Sequence, residues 1–193
     1  MTNDTDIAAL IGSRICHDLV NPLSAISNGV ELLELSGAAQ TPEMALIADS
    51  VAAAMARVKL FCLAFGPSDC AQTISRSEVI TLLNDVSKSG RLSFDWQISR
   101  DLNRGEVRLL ILAALCIETA TPLGAEIVFR QTVSGFDING KGRKIAIDPA
   151  LWSFEGKSLS AAQVQFALLP RVAQSLNRTV IYTATDTELT VAV

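Results

Sequence analysis

Apolar side chains recur every three or four residues from about Asp6 to Leu35, and the recurrence stops at Ser36-Gly37. This spacing predicts a long helix, with Asp4, Thr5 and Asp6 as cap candidates or early acidic residues. A second run starts at Thr41-Pro42-Glu43, where threonine caps and proline fills the first turn without wasting an amide donor. It carries Met44, Ile47, Val51, Ala54, Met55, Val58, Phe61, Cys62 and Phe65 before Gly66-Pro67 ends it. Two long helices joined by a short turn predict an antiparallel hairpin. A hairpin has only two layers and leaves a broad apolar face open. Either dimerisation into a four-helix bundle or cover from the rest of the chain must close that face. The frequent Ala and Gly positions favour close helix contact without choosing between the two.

Beyond Gly66 the pattern changes. Ser77 to Lys88 reads as a short helix, Leu92 to Ile98 as a strand, and Arg104 to Ala120 as a helix so apolar that it must be largely buried. Strand candidates follow at Glu126 to Thr132, Gly135 to Asn139 and Lys144 to Asp148. Ser160 to Leu176 reads as a further helix, and Thr179 to Thr185 with Glu188 to Val193 as a terminal strand pair. Helix, strand, helix, several antiparallel strands, helix and hairpin predict an α/β sandwich whose helices cover one sheet face. The expected fold class is therefore α+β, with a helical hairpin over residues 1–66 and the sandwich over residues 72–193.

Composition narrows the function classes. A chain of 193 residues is long enough to bury a real core, and 49% apolar residues with only 5% aromatic assign most packing to aliphatic side chains. Sixteen basic against twenty acidic residues leave a formal charge of -4, and no stretch concentrates Lys or Arg, which argues against direct nucleic-acid binding. No apolar run reaches membrane-spanning length, and Met1 to Asp6 lacks the basic and apolar parts of a signal peptide, so a cytoplasmic protein without membrane insertion is expected. Cys16, Cys62, Cys70 and Cys116 are widely spaced and read as small core or near-core residues, with a disulfide or metal role as the alternative.

The chain has one histidine, His17. At about 100° per residue, Arg14, Asn21, Ser24 and Asn28 fall within about 60° of it, while Ala8, Ile15, Leu19, Pro22, Ile26 and Leu33 fall on the far side. The imidazole thus lies on a polar stripe opposite an apolar seam. An imidazole offers an unprotonated nucleophilic nitrogen at neutral pH, and its two nitrogens can take different tasks. One attacks phosphorus while the other is held, with Asp18 as the neighbour placed to hold it and raise its nucleophilicity. Arg14, one turn earlier, is suited to offset phosphoryl charge, and Asn21, one turn later, to bond a phosphoryl oxygen or an attacking water. Pro22 removes the amide that would bond back to Asp18, which should bend or loosen the turn beside His17. On residues alone, an ordinary surface histidine beside an incidental kink is equally compatible.

The string Cys16-His17-Asp18-Leu19-Val20-Asn21-Pro22-Leu23-Ser24-Ala25-Ile26 resembles the phosphoacceptor box of two-component histidine kinases. There, histidine, an acidic residue and leucine precede a proline-leucine pair by fixed steps. The continuation Ser27-Asn28-Gly29-Val30-Glu31-Leu32-Leu33 resembles the ChpT-type bacterial histidine phosphotransferases more closely, and the likeness extends over essentially the whole chain. The resemblance implies a hairpin that dimerises into a four-helix bundle, followed by a degenerate histidine-kinase ATPase-like domain. It further implies a homodimer whose His17 takes a phosphoryl group from the receiver domain of a hybrid histidine kinase and passes it to response-regulator receiver domains. No cofactor of its own is implied; Mg2+ is expected on the partner receiver. Regulation of the cell cycle, or of motility in relatives, is the circuit so implied.

In active kinases of the resembled fold, one helix carries an asparagine for the nucleotide's metal, and an Asp-x-Gly-x-Gly loop lines the pocket. The segment Arg104 to Ala120 has no asparagine, and Glu118 alone does not recreate the site. Asn139-Gly140-Lys141-Gly142 reads as a β-turn in a solvent-facing hairpin, Asp137 stands out of register, and Gly156-Lys157-Ser158 lacks the earlier glycine of a P-loop. ATP is therefore not the expected donor. The competing readings are an ATP-dependent sensor histidine kinase core, a non-catalytic receiver-binding scaffold, and a phosphatase acting through Asn21.

Overall fold

The computed structural model describes residues 4–36, 41–66, 72–88, 90–154 and 159–193. The chain divides into two compact units, Met1–Pro67 and Ser68–Val193. Cys70 and the Gly156-Lys157-Ser158 triplet lie outside the described residues, as do the side chains of Ala8 and Cys16.

The first unit is helical. Helix α1 covers Asp4–Leu35 and α2 covers Pro42–Phe65. Thr41 caps α2, its Oγ1 accepting from the Met44 amide at 3.3 Å, and the Gly66 N–H donates to the Cys62 carbonyl at 3.1 Å. Helix α1 runs unbroken through Pro22, whose missing N–H leaves the Asp18 carbonyl without its helical donor. The two helices pack along each other, and Gly12 is one reason they can: a Cβ there would lie 2.7 Å from the Phe65 carbonyl oxygen.

Among the described residues of α1, Gly12, Val20, Leu23, Ser24, Gly29 and Val30 are half-buried, and Gly12 lies against the Phe65 end of α2. Ile15, Leu19, Ile26 and Leu33 remain 54%, 46%, 48% and 48% exposed. The apolar seam opposite His17 is thus not the line of contact inside the hairpin. Two helices share one narrow line, and the rest of a broad apolar arc stays in solvent.

The second unit contains β1 (Thr73–Ile74), α3 (Arg76–Lys88), β2 (Leu92–Trp96), β3 (Leu102–Asn103), α4 (Arg104–Ala120), β4 (Ala125–Gln131), β5 (Phe136–Gly142), α5 (Pro149–Trp152), α6 (Val164–Ser175), β6 (Ile181–Ala184) and β7 (Glu188–Ala192). Its five-stranded sheet has the order β2-β4-β5-β7-β6, with β2 parallel to β4 and every other pair antiparallel. A parallel pair needs a crossover, and α4 lies within it. Residues Gly105 to Ile117 of α4 are all buried, the charged Glu106 and Arg108 among them, and the apolar run from Leu109 to Ile117 accounts for most of that burial. Asn103 caps this helix, accepting from the Glu106 amide at 2.9 Å while the Glu106 carboxylate accepts from the Asn103 N–H at 3.2 Å. The sheet turns Trp96, Ile127, Phe129, Phe136, Ile138, Leu189 and Val191 inward, and its other face carries Asp95, Glu126, Arg130, Lys141 and Glu188 in solvent.

Two predicted features differ. Lys144 to Asp148 is not a strand: the Ile145 amide donates to Asp186 and the Ala146 amide to Ala120, so no single partner strand exists. Asp148 instead caps α5, its Oδ1 accepting from the Ala150 amide at 2.9 Å with Pro149 in the first turn. Asn139-Gly140-Lys141-Gly142 is not a turn but the end of β5, paired with Val128 to Ala125 on one side and with Thr190 to Glu188, opposite Asn139 to Lys141, on the other. The hairpin turn is Thr132 to Gly135, closed by the Thr132 amide on the Gly135 carbonyl at 2.9 Å.

The Gly140 position is set by packing. A Cβ there would lie 2.3 Å from Cγ2 of the fully buried Ile117 on α4. Gly140→Ala is expected to destabilise the second unit by about 1–3 kcal/mol through overpacking. A lowered urea midpoint with an unchanged slope would register this; an unchanged midpoint would show that α4 yields without cost.

Candidate functional site

His17, Asp18, Arg14 and Asn21 are all exposed on one stretch of α1. The helical repeat brings them together, since residues three and four apart share a face. The His17 side chain is 71% accessible, so a partner can reach the ring without helix opening. Its Nδ1 lies 3.2 Å from Asp18 Oδ1. The other carboxylate oxygen, Oδ2, accepts from Arg14 Nε at 2.6 Å. Asn21 Nδ2 stands 3.5 Å from His17 Nε2, at the outer limit of a hydrogen bond.

These contacts divide the imidazole. A carboxylate only accepts, so its contact with Nδ1 favours the tautomer with the proton on that nitrogen. The lone pair then sits on Nε2, and the Asn21 amide is a donor correctly placed for it. Arg14, and after it His17, hold the Asp18 carboxyl below the usual carboxylate range, so Asp18 is ionised at neutral pH.

The four predicted residues are therefore neighbours, but Arg14 is turned to Asp18. The signal for this pairing was the Arg-x-x-x-Asp spacing, a favourable i,i+4 pair on a helix. Ser24 is half-buried and Asn28 exposed on the same face. Cys116 is fully buried, which pushes its thiol well up, and Cys62 is half-buried; neither is in a disulfide. Among the described residues no group of three or more His, Cys, Asp or Glu side chains could hold a metal ion, and no helix is long and apolar enough to cross a membrane.

Residues 76–188, more than half of the chain, match the family model described as the histidine phosphotransferase C-terminal domain. The chain belongs to the ChpT-type histidine phosphotransferase family. Protein phosphotransferase ChpT of Brucella abortus (strain 2308) is 35% identical over 150 residues, which span 75% of this chain and 71% of the relative. A solved bacterial phosphotransferase superposes with a TM-score of 0.68 at 26% identity, covering 100% of this chain and 97% of its own. The α+β architecture, a helical N-terminal unit followed by a mixed sheet with helices, is similar to that of this solved bacterial phosphotransferase. Like its family, the chain is a histidine phosphotransferase of a phosphorelay.

Proposed function

We propose that His17 is the phosphoacceptor, receiving its phosphoryl group from a receiver-domain phosphoaspartate and passing it to a response regulator. The carrying observation is the exposed ring whose Nδ1 is engaged by Asp18 while Nε2 lies beside Asn21. Nε2 attacks phosphorus in line, the N–P bond forms as the acyl O–P bond breaks, and the aspartate leaves as a carboxylate. The proton on Nδ1 stays there, and the Asp18 carboxylate stabilises the positive ring. Asn21 pivots from Nε2 to a phosphoryl oxygen. Reversal onto a second receiver completes the relay. Mg2+ belongs to the receivers in this scheme, and the chain works in the cytoplasm, where receivers reside.

A homodimer completes the first unit. The stripe Ile15, Leu19, Ile26 and Leu33 is apolar and half-exposed over about 27 Å of helix. A second copy supplies a matching stripe by two-fold symmetry and makes a four-helix bundle. The second unit is then a degenerate ATPase-like sandwich that assists receiver docking without making phosphohistidine from ATP. In support, Asn139 to Gly142 is committed to strand pairing, and α4 carries no asparagine.

The test is a two-stage transfer. The full chain is incubated with a receiver carrying labelled phosphoaspartate, then chased with an unlabelled receiver. Acid-labile label on the chain, followed by its appearance on the second receiver, is expected. Label appearing only as inorganic phosphate would favour the Asn21 phosphatase, no label would favour the scaffold, and label from ATP alone would restore the kinase.

A further inference from the structure

Adjacent residues on a helix point about 100° apart and do not face one another. Asp18 nevertheless reaches the ring of His17 at 3.2 Å. Something must draw the carboxylate around the helix, because a half-exposed aspartate has other staggered rotamers open to it. Arg14 occupies the place from which this can be done: on the helical wheel it lies between His17 and Asp18, three residues before one and four before the other. Its Nε donates to Oδ2 at 2.6 Å, which leaves Oδ1 for the imidazole.

We propose that Arg14 is a positioning residue, whose guanidinium holds the Asp18 carboxylate on the His17 side and thereby selects the imidazole tautomer with Nε2 unprotonated. Each oxygen of one carboxylate is given a separate task, and the planar Nε–H fixes the angle as well as the charge. Arg14 then acts through Asp18 and needs no contact with the phosphoryl group. This inference rests on the reading of Nε2 as the nucleophile.

The single histidine makes the test specific, because selective 15N-histidine labelling reports His17 alone. At a pH where imidazole is neutral, the full-length wild type is expected to show mainly the Nδ1-protonated tautomer. Arg14→Gln should move the population toward Nε2 protonation and slow acceptance from a labelled phosphoreceiver about tenfold, and Asp18→Asn should slow it about 100-fold. Arg14→Lys should fall between the wild type and Arg14→Gln, since it restores charge without the fork. Adding Arg14→Gln to Asp18→Asn should change neither readout further. An unchanged tautomer in Arg14→Gln, or an undiminished tenfold loss in the Asp18→Asn background, overturns the proposal in favour of direct contact with phosphoryl or receiver. If the wild type takes no label yet the tautomer still shifts, the phosphoacceptor reading fails while the positioning role stands.

Discussion

Replacing His17 by alanine is expected to abolish phosphoryl acceptance, lowering labelling from a phosphoreceiver at least about 100-fold, to background. The effect should be complete because the chain holds no second imidazole to take over. Serine, threonine and carboxylate oxygens nearby give phosphoesters or acyl phosphates, whose acid and base stability differs from that of phosphohistidine. The side chain is 71% accessible, and among the described residues its polar contacts are to Asp18 and Asn21 on its own helix. Its removal should therefore leave helicity unchanged, as circular dichroism would confirm. Equal labelling of wild type and His17→Ala, under conditions where both are folded, would remove His17 from the relay.

The second large effect concerns assembly. Leu19→Glu combined with Ile26→Glu is expected to convert a dimer into a monomer. Each side chain is about half exposed, so covering the remainder gives about 1 kcal/mol per residue. A two-fold interface counts every residue twice. The double variant thus loses about 4 kcal/mol, or about a thousandfold in Kd, before the cost of burying carboxylates is added. Sedimentation equilibrium at matched concentrations would read the change. A wild type that is monomeric at micromolar concentration, or a variant that remains dimeric, would show that this stripe is not the interface. Loss of phosphoryl acceptance in the monomer would further indicate that a receiver touches both copies, whereas retained acceptance would confine its footprint to one hairpin.

Much of the architecture could be read in advance because it depends on neighbours in sequence. Thr41-Pro42 marks the start of α2 and Gly66 its end, and the cap geometry places both there. The buried helix α4 runs from Arg104 to Ala120 as its apolar run predicts. The polar stripe of Arg14, His17 and Asn21 follows from a 3.6-residue period, and the structure places these residues on one face. Local signals misled where distant partners compete. Asn-Gly-Lys-Gly has turn composition, yet β4 and β7 pair with it from either side, and Ile117 comes too near for any residue but glycine at position 140. The apolar and β-branched residues Ile145 and Ile147 suggested a strand, but Asp148-Pro149 starts a helix and the flanking amides find different acceptors.

By itself the sequence determined where most of the helices and strands lie and that Arg14, His17, Asp18 and Asn21 share one stretch of helix. These follow from periodicity, caps and residue chemistry, all set within a few positions along the chain. Only the tertiary structure decided which apolar arc of α1 meets α2 and which stays open, since burial depends on what lies opposite. It likewise decided the place of Asn139 to Gly142, because the strands that pair with this segment, β4 and β7, come from other parts of the chain.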